Sequence, residues 1–117
     1  METQTQTYQS VAVIGAGLMG HGIAQIFALS GRHVWLNDLE EDMLSEALVN
    51  IQKNLKIFVE NGLVAPEEVS PALARIKTTT SLEQAAGPAD YVVEAVSENL
   101  ALKQSIFTKL DNFSIYF

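Results

Sequence analysis

The chain has no cysteine among its 117 residues. Disulfides, thiolate metal sites and cysteine nucleophiles are therefore excluded. Proline is sparse, with three residues, and no Pro-rich or low-complexity linker divides the chain. Basic residues are few: seven Lys and Arg stand against 14 Asp and Glu, giving a formal net charge of −7. Such a chain is a poor general partner for nucleic acid or anionic lipid, and any anion it binds must be held by local geometry against the overall field. No apolar run approaches the roughly 18 residues needed to cross a bilayer. No basic leader opens the chain either. The expectation is a cytoplasmic protein with neither nucleic acid nor membrane as partner and with no metal site.

What is present is a large apolar fraction, 48% of residues, which is enough for one core in a single small domain. The first eight residues are polar and aperiodic, so residues 1–8 read as a tail and 9–117 as the domain. Val11–Ile14 is apolar on both faces, as a buried parallel strand must be. Leu18–Ser30 has helical spacing through Ile23, Ile26, Phe27 and Leu29, and Gly31 stops it. His33–Asn37 is a second strand, with Asp38 at its end.

Glu40–Glu60 is a long amphipathic helix, apolar at Met43, Leu44, Ala47, Leu48, Ile51, Leu55, Phe58 and Val59 and acidic in its first turn. Pro66 starts a further helix that runs to about Arg75. Ile76–Thr80 is a weaker strand near the sheet edge. Ser81 caps a short helix, Ala89–Val96 is a buried strand, and Asn99–Asn112 is a final helix. Strands alternating with helices predict an α/β fold: a Rossmann-type doubly wound parallel sheet with helices on both faces, here incomplete.

The decisive stretch is Gly15-Ala16-Gly17-Leu18-Met19-Gly20. It has the form G-x-G-x-x-G between a buried strand and a helix, the context a dinucleotide-binding loop requires. Gly15 permits the tight turn, Gly17 lets a diphosphate approach the backbone, and Gly20 lets the helix pack closely on the strand. Unpaired N–H groups at the helix start, with the helix dipole, supply the attraction that the net charge denies. Glycines alone could make a ligand-free turn. Asp38 favours the cofactor: it ends the second strand at about the 20-residue spacing of the acid that binds the adenosine ribose. A carboxylate there repels a 2′-phosphate, and Leu39, Glu40 and Glu41 follow with no Arg to receive one. The expected cofactor is NAD rather than NADP.

The run VAVIGAGLMGHGIAQIFALSGRHVWLND, with the later ADYVVEAVSENLALKQSIFTKLD, resembles the NAD-binding domain of the L-3-hydroxyacyl-CoA and 3-hydroxybutyryl-CoA dehydrogenases. The resemblance covers roughly Ser10 to Asn112. It implies hydride transfer that interconverts a (3S)-3-hydroxyacyl-CoA and a 3-oxoacyl-CoA. It also implies that Glu98 and Lys103, from the E-N-x-x-x-K pattern, lie on the nicotinamide side of NAD(H). In that family a hydroxyl and a lysine of the long helix contact CoA. The matching positions here are Asn54 and Asn61, a departure from the pattern.

His21, at the start of the helix after the loop, reads as a partly exposed residue outside catalysis, and His33 as structural. The general base of the resembled family is a His paired with a Glu from a later segment, and no residue in 1–117 takes that role. The expected molecule is thus a truncated cofactor domain that binds NAD(H) without turning over. Acyl-CoA is expected as a partner only of the longer enzyme, and the bare sheet edge suggests a homo-oligomer. Three readings remain beside it: a non-catalytic NAD-binding module, the cofactor domain of a gulonate-type 3-hydroxy-acid dehydrogenase, and a nucleotide-free folded domain with an idle loop.

Overall fold

A computed structural model describes residues 9–95 of the chain. The elements run β1 (Ser10–Ile14), α1 (Leu18–Leu29), β2 (His33–Asn37), α2 (Glu41–Glu60), a 3-10 turn (Pro66–Glu68), α3 (Val69–Ala74), β3 (Ile76–Thr79), α4 (Leu82–Ala86) and β4 (Tyr91–Glu94). The four strands form one parallel sheet in the order β3-β2-β1-β4. The first strand is central, and β3 lies at the edge where its weaker pattern placed it. The expected tail, residues 1–8, and the expected final helix, Asn99–Asn112, lie outside the described residues.

Strand alternation divides the core between two faces. Val11 and Val13 of β1, with Val34 and Leu36 of β2, pack against α1, α2 and α3. Ala12 and Ile14, with Val92 of β4, face the other way onto Ala85 and Ala86 of α4. Helices thus cover both faces, as a doubly wound sheet demands. The larger side is closed by α2, whose buried residues Leu44, Ala47, Ile51 and Leu55 form the expected stripe. Phe27 meets Tyr91 edge-on, with ring centroids 6.0 Å apart.

The helix α1 departs from expectation. Ile26 is 63% exposed, whereas Gly20, Ala24 and Ala28 are buried. Residues four apart share a helix face, so this face is a column of small side chains that brings the helix backbone close to the sheet. Gln25 is buried beside them, and its Oε1 accepts from Asn54 Nδ2 of α2 at 3.0 Å.

The segment read as one helix from Pro66 to Arg75 is divided at Glu68–Val69. Pro71 has no N–H with which to bond the carbonyl four residues earlier. The first turn therefore closes as a 3-10 turn, and α3 begins where Pro71 falls in its first turn and no intrahelical donor is needed. The short helix α4 starts as predicted, with Ser81 Oγ accepting from Gln84 N at 3.1 Å.

Candidate dinucleotide site

The carboxyl end of β1 turns directly into α1. Gly15 takes φ 105°, a left-handed value that residues with a Cβ rarely tolerate. Its N–H donates to the Asn37 carbonyl at 2.7 Å, which ties the turn to β2. A Cβ built at Gly20 would run into the Gly15 carbonyl, with the carbonyl carbon at 2.7 Å. The first and third glycines are therefore demanded by the fold itself.

Gly17 is different. Its φ of −68° is ordinary, and an added Cβ would meet only Met43 Cε, at 3.9 Å. The fold has no need of a glycine there, and the space in front of it holds no protein atom closer than that methyl group. As N-cap of α1 it also offers no capping side chain. Among the described residues, none accepts from the amides of Gly17, Leu18, Met19 or Gly20. These are the orphan donors of a helix start, backed by the positive end of the helix dipole. Leu18 and Met19 stand 86% and 67% exposed beside them.

Asp38 sits one residue past β2, half-buried. Its Oδ2 accepts from Ala16 N at 2.9 Å and its Oδ1 from Glu40 N at 3.1 Å. The amide of Ala16, expected among the free donors, is thus committed to Asp38. Each carboxylate oxygen still has a lone pair to offer a hydroxyl. Beneath it, buried Asn37 donates through Nδ2 to the Thr79 carbonyl at 3.1 Å and fixes β2 against β3. The structure so brings together Gly15, Ala16, Gly17, Leu18, Met19, Gly20 and Asp38. Glu98 and Lys103 lie outside the described residues.

Beside the loop a cavity of about 230 Å³ opens between α1 and α2, bounded by Gly17, Leu18 and His21 on one side and Met43, Glu46 and Asn50 on the other. His21 corrects its sequence reading. It is not partly exposed but buried, with 6% of its surface accessible. Its Nδ1 lies 2.9 Å from the Gly17 carbonyl. The residue sits one turn beyond Gly17, on the side of α1 that α2 shares, which its place in the sequence did not reveal. His33 opens β2 at the opposite end of the sheet and is exposed.

Leu39, next to Asp38 and 73% exposed, is a further apolar surface at the site that the sequence reading passed over; its position beside the acid was the available signal. On α2, Asn54 is held by Gln25, and Asn61 Nδ2 donates to the Ile57 carbonyl at 2.9 Å. Both are engaged within the protein at the positions where the resembled family has CoA-contacting groups. Both arginines bond at the other end of the sheet: Arg32 Nη1 donates to Ser30 Oγ and Arg75 Nη1 to the Ala28 carbonyl. Neither is placed to receive a 2′-phosphate near Asp38. Among the described residues no group of His, Asp and Glu side chains is arranged to hold a metal ion, and no helix is long and apolar enough to cross a membrane.

Comparison with known proteins agrees with this geometry. The family model described as "3-hydroxyacyl-CoA dehydrogenase, NAD binding domain" matches residues 10–114. The chain is similar to the mitochondrial hydroxyacyl-coenzyme A dehydrogenase of Rattus norvegicus, at 42% identity over 89% of this chain and 35% of the relative. It is similar at 34% identity to a glyoxysomal fatty acid beta-oxidation multifunctional protein of Cucumis sativus, over 90% of this chain and 14% of that protein. Among solved structures, 3-hydroxybutyryl-CoA dehydrogenase of Escherichia coli superposes with a TM-score of 0.85 at 36% identity, covering 92% of this chain and 22% of that one.

The chain spans about a third of the length of the mammalian relatives it matches. The expected cytoplasmic location is overturned, because these eukaryotic relatives are named as mitochondrial and glyoxysomal proteins; the lack of cysteine is no guide to compartment. The four-stranded parallel sheet, its glycine turn and the family match over residues 10–114 agree: the chain belongs to the 3-hydroxyacyl-CoA dehydrogenase family, as its NAD-binding domain.

Proposed function

We propose that residues 9–117 form the cofactor domain of an oxidoreductase that interconverts (3S)-3-hydroxyacyl-CoA and 3-oxoacyl-CoA by hydride transfer to and from NAD. One observation carries the reading: among the described residues nothing accepts from the amides of Gly17–Gly20, and Gly17 stands where an added Cβ would meet only Met43 Cε, at 3.9 Å. The diphosphate of NAD rests on those amides, stabilised by the helix dipole. Asp38, already anchored by Ala16 and Glu40, accepts from the adenosine ribose hydroxyls. Leu39 offers the adenine an apolar surface. Glu98 and Lys103 serve the nicotinamide side. Acyl-CoA is the substrate of the longer enzyme, which assembles as a homo-oligomer, and the charge of −7 opposes polyanionic partners.

The chemistry needs a base to take the hydroxyl proton as hydride leaves. The two histidines do not qualify: His21 is occupied by a backbone carbonyl, and His33 lies at the far end of the sheet. Purified 117-residue chain is therefore expected to bind NADH, seen as a change in nicotinamide fluorescence, and to prefer it to NADPH at least tenfold. It is expected to form no NADH above background from 3-hydroxybutyryl-CoA and NAD. Equal affinity for NADPH removes the role given to Asp38. Steady turnover by the chain alone shows that the base is supplied from within it.

A further inference from the structure

His21 is buried and outside the chemistry, yet it reaches the cofactor loop. The Gly17 carbonyl accepts twice from this one residue: from the His21 backbone N–H at 3.0 Å and from the ring at Nδ1, 2.9 Å away. We propose that His21 is a positioning residue for the dinucleotide diphosphate, which its ring serves by clamping the Gly17 carbonyl from within the first turn of α1. The inference rests on the NAD reading above and deepens it.

The argument is geometric. A trans peptide unit is planar, with its C=O and N–H pointing in opposite directions. Holding the Gly17 carbonyl therefore fixes the direction of the Leu18 N–H, one of the four unpartnered donors. The usual means of ordering a helix start is a side chain at the N-cap. Here the N-cap is Gly17, which has none, and a side chain there would fill the space a diphosphate needs. The clamp moves the ordering group one turn along the helix, out of the ligand's way. For the ring to hold a carbonyl, which can only accept, Nδ1 must carry the proton.

The test titrates the full chain with ADP-ribose, which carries the diphosphate, and with adenosine, which does not, both followed by NMR. His21→Leu keeps an apolar side chain of similar reach but no donor, and it is expected to weaken ADP-ribose by about five- to tenfold, the worth of one ordering hydrogen bond. Adenosine affinity stays unchanged. His21→Asn, whose amide nitrogen occupies the place of Nδ1, restores ADP-ribose binding to within about twofold of the parent. Unchanged ADP-ribose affinity in His21→Leu overturns the proposal, as does an equal loss for both ligands, which is the mark of general damage. Failure of the parent chain to bind ADP-ribose overturns the dinucleotide reading itself and this inference with it. A measurement free of any variant stands beside these: ¹⁵N correlation of the His21 ring in the parent chain is expected to show a protonated Nδ1, and an unprotonated Nδ1 overturns the clamp.

Discussion

The two ends of the parallel sheet use the same contact to opposite effect. At the amino end, Asp90 precedes β4, and its Oδ2 accepts from the amides of Gln9 and Ser10, each at 3.1 Å. At the carboxyl end, Asp38 follows β2 and accepts from Ala16 and Glu40. Both carboxylates brace the entry or exit of β1. The amino end is then closed, with Arg75 and Arg32 bonding the final turn of α1 and the residue after it. The carboxyl end is left open, with the amides of Gly17–Gly20 unclaimed among the described residues. A carboxylate on a backbone amide is thus not by itself a sign of function. What distinguishes the two ends is the donors left over beside Asp38, since buried backbone groups are as a rule paired.

The largest expected effect comes from Gly20→Ala, which puts a methyl group on the Gly15 carbonyl. Overpacking against backbone that cannot yield should cost about 3 kcal/mol or more, read as a fall in melting temperature and loss of NADH binding. A variant that melts like the parent would show that the close approach of α1 to β1 is wrong. Gly17→Ser sharpens the contrast. It supplies the missing N-cap side chain, so stability should shift by only a few tenths of a kcal/mol. NADH affinity should nevertheless fall more than about tenfold, because the hydroxymethyl group enters the ligand's space. Retained affinity would mean that the diphosphate lies elsewhere.

The paired variants Asp38→Ala and Asp90→Ala compare the two ends directly. Each should lose about 1–2 kcal/mol of stability by chemical denaturation, since each frees two backbone amides. Asp38→Ala should also weaken NADH about tenfold, whereas Asp90→Ala should leave it within about twofold. Equal effects of the two on NADH would erase the distinction between brace and site.

Local pattern was enough for much of this. The run HVWLN was read as a strand and forms β2 residue for residue, because its alternate side chains can be buried only in extended backbone. The α2 stripe needed only its own spacing, since a helix with one apolar face has one way to bury it. Gly15 and Gly20 were legible because turn and packing are set within one strand–turn–helix unit. The misreadings fall where a neighbour from elsewhere in the chain decides. Ile26 belongs to the apolar pattern that marked α1 and is exposed, because the approach of α1 to the sheet buries Gly20, Ala24 and Ala28 instead. His21 looked partly exposed and is buried.

The sequence by itself determined the order of strands and helices, the parallel sheet that such an order requires, and the chemistry of a loop whose glycines and following acid lie within one short stretch of chain. These follow from backbone sterics and from periodicities that neighbouring residues impose on each other. Only the tertiary structure decided which donors remained free. Asp38 claims the Ala16 amide, His21 claims the Gly17 carbonyl, and among the described residues nothing claims the amides of Gly17–Gly20. The first of these contacts depends on where the end of β2 comes to rest against the β1–α1 turn, and such long-range placement is a property of the packed core, not of any local run of residues.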